Sequence, residues 1–150
     1  MLKVGDPAPD IQVLTDSGED FRLSEMKGKR VVLYFYPRAD TPGCTVEACE
    51  FRDDIKAFGK KGAAVIGVSP DKPAAQAKFK GKYDLPFTLL ADPDKAAAEA
   101  YGVYQEKIMY GRKVMGIVRT TFVIGPGGKI EKIYHKVKAK GHAAEVLAGL

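Results

Sequence analysis

Two stretches of the chain, RVVLYFY at residues 30–36 and AAVIGVS at residues 63–69, are continuous runs of apolar residues rich in β-branched and aromatic side chains. Neither alternates with polar residues, so neither reads as a strand with one wet face. Strands buried on both faces have this pattern, and they occur where helices cover a parallel sheet on both sides. The segment between the two runs, residues 42–60, reads as a helix with Val46, Cys49, Ile55 and Phe58 along one side and Phe51 partly off it. Before the first run, IQVLT and EDFRL around Asp16-Ser17-Gly18 predict a hairpin. After the second come a helix over 72–83, with Pro73 in its first turn, and a short strand, FTLLA. DPDKAAAEAYGV then reads as a helix opened by an acidic turn and closed by Gly102. A hairpin turning at Pro126-Gly127-Gly128 and a short helix over 141–150 complete the chain. This order predicts an α/β protein, a mixed central sheet with helices on both faces and an N-terminal hairpin, in a single domain over 1–150. In such a sheet the loops after the parallel strands gather at one edge, where sites form. The loop after the first run is PRADTPGC.

With 150 residues, 45% hydrophobic and 29% charged, the chain can bury a core without disulfide staples or a structural metal. Its two cysteines, Cys44 and Cys49, are too few for a disulfide scaffold and read instead as catalytic or redox-sensing. Their spacing excludes a CxxC motif. Two thiols, with His135 and His142 far away in sequence, do not make a zinc site. No metal or cofactor is expected, and neither histidine is expected to be catalytic. The net charge of +5 comes from scattered lysines, with no run of five or six like charges, so no nucleic-acid partner is expected. No apolar segment approaches the roughly 18 residues of a membrane span, and MLKVGDPAPD lacks the apolar core of a secretory signal. The expectation is a cytoplasmic protein with no membrane partner.

Cys44 stands at a particular place in its helix. Thr41 is a favourable N-cap residue and Pro42 is favoured at the first helical position, so Cys44 falls in the first turn. There its sulfur lies beside free backbone N–H groups and the positive end of the helix dipole, which favour thiolate over thiol. Gly43 leaves the approach open, and Pro37, which lacks a backbone donor, shields the sulfur from bulk water.

PRADTPGC also fits the PxxxTxxC signature of peroxiredoxins, through Pro37, Thr41 and Cys44. Its continuation TPGCTVEACEFRD resembles the Q-type branch, also called bacterioferritin comigratory proteins. VGDPAPDI, VVLYFYP, GVSPD, LLAD and RTTFVIGPGGKI extend the resemblance over nearly the whole chain. It implies a thioredoxin-like fold and reduction of hydroperoxides. Cys44 would be the peroxidatic nucleophile, Thr41 a hydrogen-bonding partner of peroxide and thiolate, Arg119 the active-site arginine and Cys49 the resolving cysteine. A thioredoxin-like dithiol would regenerate the enzyme, and an in-chain resolving cysteine removes the chemical need for a dimer, so a monomer is expected. In an intact α-helix, residues five apart point about 140° apart with Cα atoms roughly 8–9 Å apart, whereas a disulfide needs about 7 Å or less. The first turns of the helix are therefore expected to unwind on oxidation. Glu47 has two readings: an exposed helix acid, or a hydrogen-bonding group that orients Arg119 or the local backbone. Tyr36 and Phe51 are expected to pack near the site and shape the pocket.

Overall fold

The computed structural model describes residues 2–150. Seven strands form one mixed sheet in the order β2-β1-β5-β4-β3-β8-β9. The hairpin β1 (Gln12–Thr15) and β2 (Asp20–Arg22) lies at one edge; β3 (Arg30–Phe35), β4 (Ala63–Ser69) and β5 (Thr88–Ala91) run parallel in the middle. At the other edge β8 (Thr120–Ile124) pairs antiparallel with β3, and β9 (Ile130–Tyr134) with β8. The unbroken apolar character of residues 30–36 follows from two cores. Val31, Leu33 and Phe35 enter one with Phe122, Leu90 and Tyr101; Val32, Tyr34 and Tyr36 enter the other with Phe51, Phe58, Phe79 and Cys44. Helices α1 (Pro42–Asp53), α2 (Ile55–Lys60), α3 (Pro73–Tyr83) and α5 (His142–Ala148) contribute to the second core, and α4 (Ala96–Ala100) to the first. The expected mixed sheet covered on both faces is therefore present.

The predicted helix over 42–60 is instead two helices, separated at Asp54 (φ −98°, ψ 7°). Adjacent aspartates are poor helix formers. Their charge opposes the negative end of α1 but suits the positive end of α2. The buried face also differs from the expected one: Cys44, Glu47, Ala48 and Phe51 are buried, while Val46 is 41% exposed. The true stripe follows helical spacing, but its second member is a carboxylate, which disguises it. The acidic stretch before α4 is likewise outside the helix. Asp92 accepts hydrogen bonds from the N–H groups of Ala97 (3.1 Å) and Ala98 (2.9 Å), and only five residues are helical.

Residues 104–117 carry no expectation from sequence, yet they form a separate two-stranded ribbon, β6 (Tyr104–Met109) and β7 (Arg112–Ile117). Its turn is Tyr110-Gly111, both at positive φ (51° and 75°), as the tight turns of hairpins require. Val118 N–H bonds the Val103 carbonyl (2.8 Å) and closes the ribbon's base, so that Arg119 leaves it directly into β8.

Candidate active site

The loop from Tyr36 to Thr41 is tied down at several points. The Tyr36 hydroxyl donates to Gln76 Oε1 (2.6 Å), and Gln76 Nε2 donates to Ser69 Oγ (2.9 Å) and the Leu90 carbonyl (2.8 Å). Ser69 Oγ donates to Asp71 Oδ2 (2.6 Å), which also accepts the Ala39 N–H (2.7 Å). Asp40, at φ 59°, is held by Lys82 Nζ and the Tyr83 hydroxyl, both at 2.9 Å. A buried chain of hydrogen bonds thus runs from the end of β3 through α3 and the end of β4 back to the loop, and such fully paired networks are rigid. Tyr36 belongs to it. Its hydroxyl serves the loop, and burial pushes its pKa up. Ser69 and Asp71 lie in the GVSPD stretch, whose pattern was visible but whose role was not; Gln76 gave no signal beyond being an amide on a helix.

The loop delivers Thr41 at φ −98°, ψ 158°, in the N-cap position of α1. Its hydroxyl does not cap the helix as expected. It donates to the Arg38 carbonyl (2.9 Å), which leaves its lone pairs as acceptors. The first intrahelical bond runs from Thr45 N–H to the Thr41 carbonyl (2.8 Å). The N–H groups of Gly43 and Cys44 precede that bond, next to Pro42, which has none. An uncapped helix start of this kind favours negative charge.

Cys44 is 1% exposed. Arg119 Nη2 lies 3.4 Å from its sulfur, and Arg119 Nη1 lies 2.6 Å from Glu47 Oε1. One guanidinium therefore joins the thiol to a carboxylate one helical turn further along the same buried face. Gly43 makes room for it: a Cβ there would stand 3.1 Å from Arg119 Nη2. Glu47 is fully buried, and its Oε2 has no hydrogen-bond partner among the described residues. Desolvation pushes its pKa up to about 7, against the charge and hydrogen bond of Arg119. Desolvation acts on Arg119 too, but Glu47 and Cys44 outweigh it and hold the guanidinium charged. Of the two readings of Glu47, the exposed acid is ruled out and the partner of Arg119 is what the geometry provides.

Pro37, two residues after β3, and Gly43, next to Cys44, are half-buried, and Cys49 is half-buried on α1 with a free thiol. Both cysteines lie on regular helix. Phe51 stacks on Tyr34 (centroids 4.7 Å apart) and meets His142 edge-on (5.9 Å). His142 is thus distant in sequence but packed against α1; its imidazole is buried between Thr121 Oγ1 (2.7 Å) and Glu145 (3.0 Å), and desolvation lowers its pKa. Lys107, on the ribbon, went unnoticed in the sequence. Its stem packs on Gly116, and desolvation, with the charge of Arg119, lowers its pKa.

The model of the AhpC/TSA family matches residues 4–133. A putative peroxiredoxin bcp of Coxiella burnetii is 50% identical over 149 residues, covering 99% of each chain. Among solved structures, a cysteine-to-serine variant of Xylella fastidiosa PrxQ superposes with a TM-score of 0.94 at 35% identity, covering 99% of this chain and 95% of the other. A Xanthomonas campestris bacterioferritin comigratory protein, studied for its alkyl peroxide reduction activity, superposes at 0.91 with 37% identity and the same coverage.

Proposed function

The chain belongs to the AhpC/TSA family, among the Q-type peroxiredoxins, and from that premise we propose how its residues divide the work of a thiol peroxidase. Cys44 is the nucleophile. Its thiolate attacks the terminal oxygen of a hydroperoxide; the S–O bond forms, the O–O bond breaks, and the alkoxide or hydroxide leaves with the bonding pair and takes up a proton. Negative charge grows on the leaving oxygen beside the Arg119 guanidinium and the N–H groups of Gly43 and Cys44, donors already in place. The Thr41 hydroxyl, its proton held by the Arg38 carbonyl, accepts the hydrogen bond of the peroxide O–H. Glu47 and Gly43 position Arg119, Pro37 shields the sulfur, and Tyr36 holds the loop. The observation that carries this reading is the bridge from Cys44 through Arg119 to Glu47 at an uncapped helix start.

Cys49 then condenses with the Cys44 sulfenic acid, releasing water and forming an intrachain disulfide. Because α1 is regular at both cysteines, its first turns must open for the sulfurs to meet. A thioredoxin-like dithiol restores the thiols by exchange. Residues 1–150 act as one such domain, monomeric and cytoplasmic. Stopped-flow mixing of reduced protein with hydrogen peroxide, followed by mass spectrometry of Cys44 and Cys49, tests the scheme. Cys44→Ser abolishes turnover. Cys49→Ser gives a single stoichiometric turnover, a sulfenic acid at Cys44 and no sustained dithiol-driven activity. Retained turnover in Cys44→Ser sinks the mechanism.

A further inference from the structure

Of the eight large apolar side chains exposed among the described residues, five lie within eight consecutive positions at the end of the ribbon: Ile108 (77%), Met109 (52%), Tyr110 (99%), Val114 (37%) and Met115 (54%). Strand alternation divides them between both faces. Met109 and Val114 share one face with Lys107 and Arg112; Ile108 and Met115 share the other with Glu106 and Lys113. Glu106 is the ribbon's one acid, and it pairs with Lys113 (3.6 Å). Arg112 has no acidic partner among the described residues. The tip is therefore a convex apolar finger, exposed on both faces and collared by cations. It projects from the strand that leads into Arg119.

We propose that this finger docks the protein on the surface of a bilayer that carries anionic headgroups. Tyr110, Ile108 and Met109 enter the boundary between headgroups and acyl chains, while Arg112 and Lys113 stay at headgroup level. Apolar residues flanked by snorkelling cations are the composition of an interfacial anchor. A protein partner fits less well. A stable interface covers about 800 Å² on each side, and a ribbon only about 20 Å long offers a narrow ridge. A second copy would set like charges against each other. A use of such docking in reducing hydroperoxides at the membrane rests on the peroxidase reading; the docking itself does not.

The test is co-sedimentation of the reduced full-length protein, without peroxide, with vesicles of phosphatidylcholine alone or mixed with phosphatidylglycerol. Absence of peroxide separates a failure here from a failure of the peroxidase reading. Wild type partitions onto the mixed vesicles and is released by salt. The Ile108→Ser, Tyr110→Ser double variant loses at least about tenfold in partition, as expected for two apolar side chains that no longer leave water. The Arg112→Glu variant loses a comparable amount on mixed vesicles, and both variants keep the wild-type rate with hydrogen peroxide in solution. Absence of binding, or binding that the double variant retains, overturns the proposal. So does a concentration-dependent dimer in sedimentation velocity that the double variant abolishes, since that identifies a second copy as the occupant. A selective loss of dithiol-driven turnover without vesicle binding overturns it in favour of a protein partner.

Discussion

The first turn of α1 and the tip of the β6–β7 ribbon are built on opposite terms. Around Cys44 the side chains are held in place, with the loop amide bound to Asp71, the Thr41 proton to Arg38 and the guanidinium to thiol and carboxylate. At the tip the side chains meet almost nothing. A site that stabilises a transition state needs donors fixed before the substrate arrives; a surface that meets a fluid or variable partner needs only reach and composition. The difference predicts that substitutions at the site slow the reaction, whereas those at the tip leave rate and stability nearly untouched.

Arg119→Ala is the most severe way to probe the contrast. It removes the charge that faces the leaving oxygen, and the peroxide step measured by stopped flow should slow by about 10²–10³-fold, the usual cost of losing one such donor. It also leaves Glu47 buried without its cation, so the carboxyl should stay protonated well above neutrality. A rate within a few-fold of wild type would show that the guanidinium does not serve the reaction.

Glu47→Gln probes the same pair through pH. The folded-state pKa of Glu47 is raised to about 7 from an ordinary 4.5, so between those values the folded protein keeps a proton that the unfolded chain has lost. The stabilisation from Glu47 is complete below about 4.5 and is lost as pH rises through about 7. Thermal unfolding of both proteins from pH 5 to 8 should show the glutamine variant gaining on wild type by an amount on the order of 2 kcal/mol. A difference independent of pH would mean that Glu47 stays ionised throughout, as a tight ion pair alone would hold it.

Gly43→Ala should act on geometry alone. Gly43 lies in the helical region, so alanine introduces no backbone strain and raises helix propensity. Its Cβ, however, would press on Arg119 Nη2 from 3.1 Å. The expected outcome is unchanged or slightly raised thermal stability with a peroxide step a few-fold slower, which corresponds to less than about 1 kcal/mol in the barrier. Full activity would show that the guanidinium can give way without loss.

The same contrast explains what could be read from the sequence. Strands β3, β4 and β5 announce themselves because burial on both faces confines their polar residues, Arg30, Ser69 and Thr88, to the strand ends, and Thr41-Pro42-Gly43-Cys44 is a local helix start that needs no tertiary information. Arg119 became visible only through its resemblance to a family pattern; nothing local distinguishes it from the other arginines. Glu47 was ambiguous for a physical reason: a carboxylate on a helix is ordinarily solvated, and its burial depends on a cation 72 residues away. The break at Asp54 and the shifted face of α1 were missed for the same cause, since an acid inside the apolar stripe spoils the periodicity. The ribbon was missed because its strands mix charged and apolar residues without a buried face, and because its turn is Tyr110-Gly111 in place of the usual Asn-Gly or Asp-Gly.

That turn supplies the gentlest probe. Tyr110 sits at φ 51° and is 99% exposed, so its ring contributes no packing to the fold while its backbone occupies a region that asparagine tolerates better. Tyr110→Asn creates the Asn-Gly sequence preferred in two-residue hairpin turns. Thermal unfolding should shift by no more than about 0.5 kcal/mol, the range of surface substitutions, and toward greater stability if it moves at all. The rate with hydrogen peroxide should not change. A clear loss of stability would mean that the tyrosine packs on the body of the protein, and the ribbon would then belong with the site as a fixed element. Retained stability would leave Tyr110 without a role in the fold, so that the strained backbone is kept for what the side chain meets outside it.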